Sequence, residues 1–163
     1  METTKQVQVS IFLENKPGRL ANLLSALARE KINILALTVM ESHDQRVLRV
    51  VTSDPTRSLQ VLNGLGVRHA QTEVLAVELR NQPGALANVC EKMGVEHINI
   101  DYAYCSAGGR NGNTLGIFKV SSAEKAMKVL SWPPDVATRR RLDTRPTRSK
   151  RAYAARPAAN SLR

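Results

Sequence analysis

Apolar and polar residues alternate at the start of the chain with the period of a β-strand. Val7, Val9 and Ile11 share one side of this alternation, which predicts a strand with one buried face. After a break at residues 15–18, apolar residues recur every three or four positions, as on one side of an amphipathic helix. This helical stripe consists of Leu20, Leu23, Leu24, Leu27 and Ala28.

Further strands and one more helix follow in the first half. The apolar and β-branched residues at 32–39 and 47–51 predict a second and a third strand, separated by a polar turn. Asp54-Pro55 predicts a helix start, because Asp caps helices and Pro suits the first helical position. A fourth strand around residues 67–72 runs into the first strand of the second half.

The second half repeats the first at a spacing of 66 residues. Asn15-Lys16-Pro17-Gly18-Arg19-Leu20 returns as Asn81-Gln82-Pro83-Gly84-Ala85-Leu86, and Ile32-Asn33-Ile34 returns as Ile98-Asn99-Ile100. Two separate matches at one spacing indicate a tandem repeat. We therefore predict two domains and a tail, with the bounds 1–72, 73–131 and 132–163.

The second copy keeps the order of elements. Its predicted strands cover residues 74–79, 98–105 and 115–120, with a helix after the first of them. The spacing Ser-x-x-Glu from Ser121 predicts a capped start for a further helix, and no strand pattern follows Leu130. The predicted fold class is α+β: two ferredoxin-like βαββαβ sandwiches with antiparallel sheets, the second lacking a clear last strand.

The net charge of +10 belongs mostly to the tail. Beyond residue 130 lie nine of the 24 Lys and Arg residues but only two of the 14 acidic residues, so the predicted domains are nearly balanced. The two cysteines, Cys90 and Cys105, have no metal-ligand spacing, and we expect reduced, buried thiols. The start of the chain lacks the apolar stretch of a signal peptide, and no apolar run is long enough for a membrane span. We expect a cytoplasmic protein without membrane contact.

The repeated loop between first strand and first helix is the strongest candidate for chemistry. A helix start has unpaired N–H groups and the positive end of the helix dipole, which can hold a carboxylate. Gly18 and Gly84 leave room for close approach. The amides of Asn15 and Asn81 can accept from an ammonium and donate to a carboxylate. An ordinary tight turn is the alternative explanation, which the repetition at fixed spacing disfavours.

The order of strand, N-x-P-G-x-L, amphipathic helix and I-N-I strand resembles the ACT domain, over about residues 5 to 130. It is most similar to small, stand-alone proteins made of two such modules. The resemblance implies binding of an amino acid or related small ligand between paired modules. It implicates Asn15, Pro17, Gly18, Arg19, Leu20, Asn33 and Ile34 in copy one, and Asn81, Pro83, Gly84, Ala85, Leu86, Asn99 and Ile100 in copy two.

We therefore expect a non-enzymatic regulatory or sensor protein for a small amino acid or analogue, and specifically a regulatory subunit for amino-acid biosynthesis. A homodimer and a metabolic enzyme are the expected partners. No catalytic residue, metal site or cofactor is expected, because no nucleophile motif or ligand spacing is present. Lys16 and Arg19 become Gln82 and Ala85 in copy two, which predicts more positive charge at the first loop.

Two alternatives remain. The chain is a constitutive protein-interaction scaffold without a ligand, or its Arg-rich tail binds nucleic acid weakly through phosphate charge. Sequence-specific RNA binding is disfavoured, because residues 46–52 lack the stacking aromatics of an RNA-binding sheet.

Overall fold

The computed structural model describes residues 2–42, 45–106 and 112–131. Within these ranges, six strands and four helices alternate as βαββαβαββα. The strands are β1 Thr3–Glu14, β2 Ile34–Ser42, β3 Gln45–Thr52, β4 His69–Leu79, β5 Ile100–Ser106 and β6 Thr114–Val120, and the helices are α1 Arg19–Arg29, α2 Pro55–Gly64, α3 Ala85–Val95 and α4 Ala123–Ser131. The predicted α+β fold class is confirmed. The strands predicted at 67–72 and 74–79 form one strand, β4, because no Gly or Pro interrupts them.

The strands described form one antiparallel sheet in the order β2-β3-β1-β4-β6-β5. Its centre is the pair of long strands β1 and β4, which pair from Thr3 to Ile11. The second part of β1, from Gln8, also pairs with β3, whereas β4 pairs with β6 only from Leu75 onward. The two predicted sandwiches therefore share a continuous sheet instead of having a sheet each. The start of β1 occupies the place of the last strand that the second copy lacks.

The shared strands place a pseudo-two-fold axis at the centre of the sheet. Val7 pairs with Glu73, the residue 66 positions further along the chain. Lys5 pairs with Leu75, which is the repeat counterpart of Val9. Val9 in turn pairs with Gln71, which is the repeat counterpart of Lys5. The β1–β4 ladder is consequently the same when each strand is exchanged for its repeat.

Helices cover one face of the sheet, in two separate cores. Val9, Ile11 and Leu13 of β1 pack with α1 and α2 residues in the first core. Leu75, Val77 and Leu79 of β4 pack with α3 and α4 residues in the second. Alternate positions of these strands point to the opposite face, as the strand period requires. A third cluster there is built from strand residues, namely Ala36, Val51, Val74, Ala76 and Ile117.

The sheet curls so that this opposite face closes on itself. The guanidinium of Arg49 on β3 lies 3.7 Å from the ring centroid of Tyr102 on β5. In a flat sheet these strands would be about 19 Å apart, at about 4.8 Å per strand. The edge strands β2 and β5 also contact each other. Strand twist of the usual hand, accumulated over six strands, produces such curling.

A buried glutamine joins the two halves across the closed face. Gln8 of β1 is fully buried. Its Nε2 donates to the Tyr102 hydroxyl at 2.8 Å, and its Oε1 accepts from the Tyr104 hydroxyl at 3.0 Å. Burial raises the pKa of Tyr104, so this hydroxyl stays protonated and continues to donate. The network therefore satisfies the polar groups of one buried amide and ties β1 to β5.

The predicted cap of α2 is confirmed. The Asp54 carboxylate accepts from the Arg57 N–H at 2.9 Å, and Pro55 begins the helix. We expect Asp54→Ala to lower the free energy of unfolding by about 1 kcal/mol, because the N–H groups of the first turn lose their acceptor. Urea denaturation measures this change. Ser122→Ala is the control: Ser122 caps α4 through a longer bond, 3.4 Å to the Lys125 N–H. A loss as large as that of Asp54→Ala would contradict the expectation.

Two sequence expectations need correction. The cap of α4 is Ser122 and not Ser121, because the Ser121 hydroxyl accepts instead from the Asn99 N–H. Cys90 and Cys105 are free, as expected, but both are exposed and not buried. Cys90 lies on the outer side of α3, and Cys105 lies on the edge strand β5, where burial is incomplete.

The domain bounds stay predictions. β4 crosses the predicted boundary between residues 72 and 73. The tail 132–163 lies outside the described residues, as do residues 43–44 of the polar turn. Among the residues that are described, no helix is long and apolar enough to cross a membrane.

Candidate functional site

The two repeated loops have the same backbone geometry. Gly18 precedes α1 with φ 82° and ψ −17°, and Gly84 precedes α3 with φ 85° and ψ −11°. In each loop a hydrogen bond of 2.8 Å spans two residues and one of 3.3 Å spans three. These bonds run from Lys16 N to Glu14 O, Arg19 N to Lys16 O, Gln82 N to Arg80 O and Ala85 N to Gln82 O. Glycine is needed at both positions, since this left-handed conformation is strained for other residues.

Both helix starts are open. Among the described residues, no side chain caps α1 or α3. Apart from the adjacent residues in the chain, a Cβ at Gly18 or Gly84 would meet no described atom within 4 Å. Since neither glycine is in a crowded place, the positive φ is the reason within the chain for having glycine at each position. The space in front of each helix start is available to a ligand.

The other predicted loop residues surround these openings. Asn15, Pro17 and Arg19 are exposed in the first loop, and Asn81 and Pro83 are exposed in the second. The apolar positions differ between copies: Leu20 is half-buried against the first core, Ala85 is half-buried against the second, and Leu86 is exposed.

The predicted Asn residues just before β2 and β5 lie away from these openings. Asn33 follows α1, at the opposite end of the helix from Gly18, a distance of about 16 Å along 11 residues. Its N–H donates to the Ser53 hydroxyl at 3.0 Å, and its carbonyl accepts from the Ser53 N–H at 2.9 Å. Asn99 is bound in the same way to Ser121.

In each copy these hydrogen bonds therefore join the start of the first hairpin strand to the end of the second. The neighbouring Ile34 and Ile100 are half-buried and pack on the first and second core. Within one copy, the structure does not bring Asn33 or Asn99 together with its glycine loop. The ligand-binding role of both sets stays a prediction.

The first loop is charged but internally paired. The Glu14 carboxylate lies 2.9 Å from Lys16 Nζ and 3.1 Å from the Arg19 guanidinium. Hydrogen bonds from Lys16 and then Arg19 lower the pKa of Glu14 below its ordinary value. Arg80 takes the position of Glu14 in the second copy, so each loop has one excess positive charge. The expected excess of positive charge at the first loop is thus cancelled by a residue outside the motif.

A hollow of about 380 Å³ lies beside the first loop. It separates the start of α1 from the turn between α2 and β4. Its lining consists of Phe12, Leu13, Glu14, Arg19, Asn22, Leu23, Leu65, Gly66, Val67 and Arg68. Of these, only Arg19 is among the site residues predicted from the sequence. The Gly64-Leu65-Gly66 turn was recognisable as a helix end, but its position beside the loop follows from the sheet topology.

The sequence matches the family described as the ACT domain pair over residues 3–132, most of the chain. The chain belongs to the ACT domain pair family. Among solved structures, protein BT0572 from Bacteroides thetaiotaomicron is similar, with 35% identity, a TM-score of 0.72, and coverage of 78% of this chain and 88% of that one. No curated protein matches the sequence.

More distant structures share the fold of this ACT domain pair. The regulatory subunit of aspartate kinase from Thermus thermophilus is 14% identical with a TM-score of 0.60, covering 80% of this chain and 95% of that one. The corresponding subunit from Thermus flavus is 15% identical with a TM-score of 0.54 and the same coverages. At these identities the likeness concerns the fold alone.

The described part of this ACT domain pair offers no metal-binding cluster of three or more His, Cys, Asp or Glu residues.

Proposed function

We propose that this ACT domain pair is a non-enzymatic regulatory protein that binds a small amino acid or analogue at its repeated helix starts. The observation that carries the proposal is the pair of exposed, left-handed glycines whose helix starts no described side chain caps. Backbone N–H groups and the helix dipole favour a carboxylate at such a position. The solved relatives named as regulatory subunits of aspartate kinase support a regulatory role through their fold.

The proposed output is a change in association with a metabolic enzyme of the cytoplasm. A ligand shifts the population toward the conformation that binds it better, and a partner can respond to that shift. We also propose a homodimer. The edge strand β2 exposes Leu37, Val39 and Met40, and exposed apolar edges favour pairing with another strand.

A thermal-shift screen against the common amino acids tests ligand binding. A ligand that binds only the folded chain must raise the melting temperature, by an amount that grows with its concentration. We expect at least one amino acid to do so at millimolar concentration. If none does, the ligand-free scaffold is the better interpretation.

Substitution at the glycines tests the location. Gly18→Val should cost about 1–2 kcal/mol of stability through backbone strain and should abolish the ligand-dependent shift of its own loop. Gly84→Val is the matched variant, because its backbone conformation and open surroundings are the same. Isothermal titration of both variants measures the affinity. An unchanged affinity in both would show that the ligand binds away from these loops.

A further inference from the structure

We propose that the hollow beside the first loop is a pocket for one zwitterionic α-amino acid with an apolar side chain, and that the second copy has no equivalent pocket. This inference rests on the proposed function and specifies its ligand class, its lining and its stoichiometry. Three features of the hollow carry it: a pair of opposite charges, two helix ends of opposite polarity, and an apolar floor.

The charged pair complements the two charges of an amino acid. Arg19 and Glu14 both line the hollow, with 3.1 Å between guanidinium and carboxylate, and both are exposed. Arg68 also lines the hollow and adds a second positive charge. A ligand carboxylate can pair with Arg19 while the neighbouring ammonium pairs with Glu14. Asn22, which also lines the hollow, can donate to the carboxylate or accept from the ammonium.

The helix ends reinforce the same orientation. The start of α1 contributes the positive end of its dipole, and the end of α2 contributes a negative end on the other side of the hollow. The α2 end is fixed by bonds from Leu65 N to Val61 O and from Gly66 N to Asn63 O. The positive end of α1 therefore favours the carboxylate on the Arg19 side, and the negative end of α2 favours turning the ammonium toward it.

The floor of the hollow is apolar. Leu13, Leu23 and Val67 line it, and Leu65 lines it while keeping 49% of its surface exposed. Leu13 and Leu23 are already buried, so an aliphatic or aromatic side chain in the hollow would remove mainly the exposed surface of Leu65 and Val67 from water. A volume of about 380 Å³ is near the lower end of ligand pockets, which fits a single amino acid.

The second copy lacks the charge pair. Arg80 stands in place of Glu14, and Ala85 stands in place of Arg19. The second loop can therefore attract a carboxylate through Arg80 and its helix start, but it has no carboxylate at the position of Glu14 to hold the ammonium. Asn88 is the counterpart of Asn22 and is exposed in the same way on α3, which makes it a matched control position.

Isothermal titration of the full chain with four probes tests the proposal. L-leucine should bind at one molecule per chain. Because an ion pair is lost in each case, 4-methylpentanoate, which lacks the ammonium, and 3-methylbutylamine, which lacks the carboxylate, should each bind about 10-fold more weakly or not at all. L-serine should bind more weakly than L-leucine, since its side chain leaves the apolar floor uncovered.

Variants locate the binding. Glu14→Gln and Asn22→Ala should each weaken L-leucine binding by about 10-fold, through the loss of a charged or amide partner, whereas Asn88→Ala should leave it unchanged. Two leucines per chain, or equal effects of Asn22→Ala and Asn88→Ala, would overturn the pocket. If L-serine or a charged amino acid binds while L-leucine does not, the pocket assignment falls and the proposed function stands. If no common amino acid binds, the proposed function falls as well.

Discussion

Gln6→Pro should lower the free energy of unfolding by about 2–4 kcal/mol, because proline removes a ladder hydrogen bond and leaves its acceptor unpaired. Phe12 N donates to Arg68 O, and Glu78 N donates to Glu2 O. Hydrogen-bonded pairs alternate along an antiparallel ladder. The Gln6 N–H consequently points toward Val74, its partner on β4. Urea denaturation, followed by a spectroscopic probe in each half of the chain, measures the loss in the free energy of unfolding.

Lys5→Pro is the control for this variant. The Lys5 N–H points away from β4, and β3 pairing begins only at Gln8. Proline is tolerated where the N–H faces outward from a sheet edge. The variant also loses two exposed ion pairs, with Glu73 and with Glu124, each worth at most about 1 kcal/mol. Equal destabilisation by both prolines would contradict the role of the β1 start as a strand of the second half.

Gln8→Leu should cost about 2–4 kcal/mol, because two half-buried tyrosines lose the amide partner of their hydroxyls while the volume stays similar. Gln8 is fully buried, and its bonds to Tyr102 and Tyr104 cross the closed face of the sheet. The destabilisation should appear in urea denaturation as a lower midpoint.

A triple variant separates lost hydrogen bonds from altered packing. Adding Tyr102→Phe and Tyr104→Phe to Gln8→Leu removes both partners together, which can be nearly neutral. We expect the triple variant to recover at least half of the loss. A triple variant that is less stable than Gln8→Leu alone would show that packing and not hydrogen bonding dominates at this position.

Local pattern was sufficient for most elements of the fold. The alternation at Val7, Val9 and Ile11, the cap at Asp54 and the repeated glycines each depend on neighbours in sequence, and each is present as predicted. The joining of two sheets into one was not predictable in this way. It depends on β1 pairing with β4, about 66 residues away. The spacing of apolar residues and the strand propensity of a segment predict a strand but not its partner.

In the candidate site, too, the local features were predictable and those that depend on the tertiary fold were not. The helix starts at Gly18 and Gly84 follow from a local motif. The family resemblance implicates Asn33 together with the loop, yet α1 separates them. Glu14 and Leu65 line the hollow but are not among the predicted site residues, since Glu14 lies just before the motif and Leu65 reaches the hollow only through the fold.

The exchange symmetry at Val7 and Glu73 has a consequence for how such a protein could arise. A half-length ancestor would have had one long strand whose backbone groups lacked hydrogen-bond partners at one end. In a pair of such chains, the two long strands would have supplied these partners to each other. Fusion of two genes then changes the covalent connection without altering the sheet. Cutting the present chain between its halves should accordingly yield fragments that reassociate, each supplying the strand that the other needs.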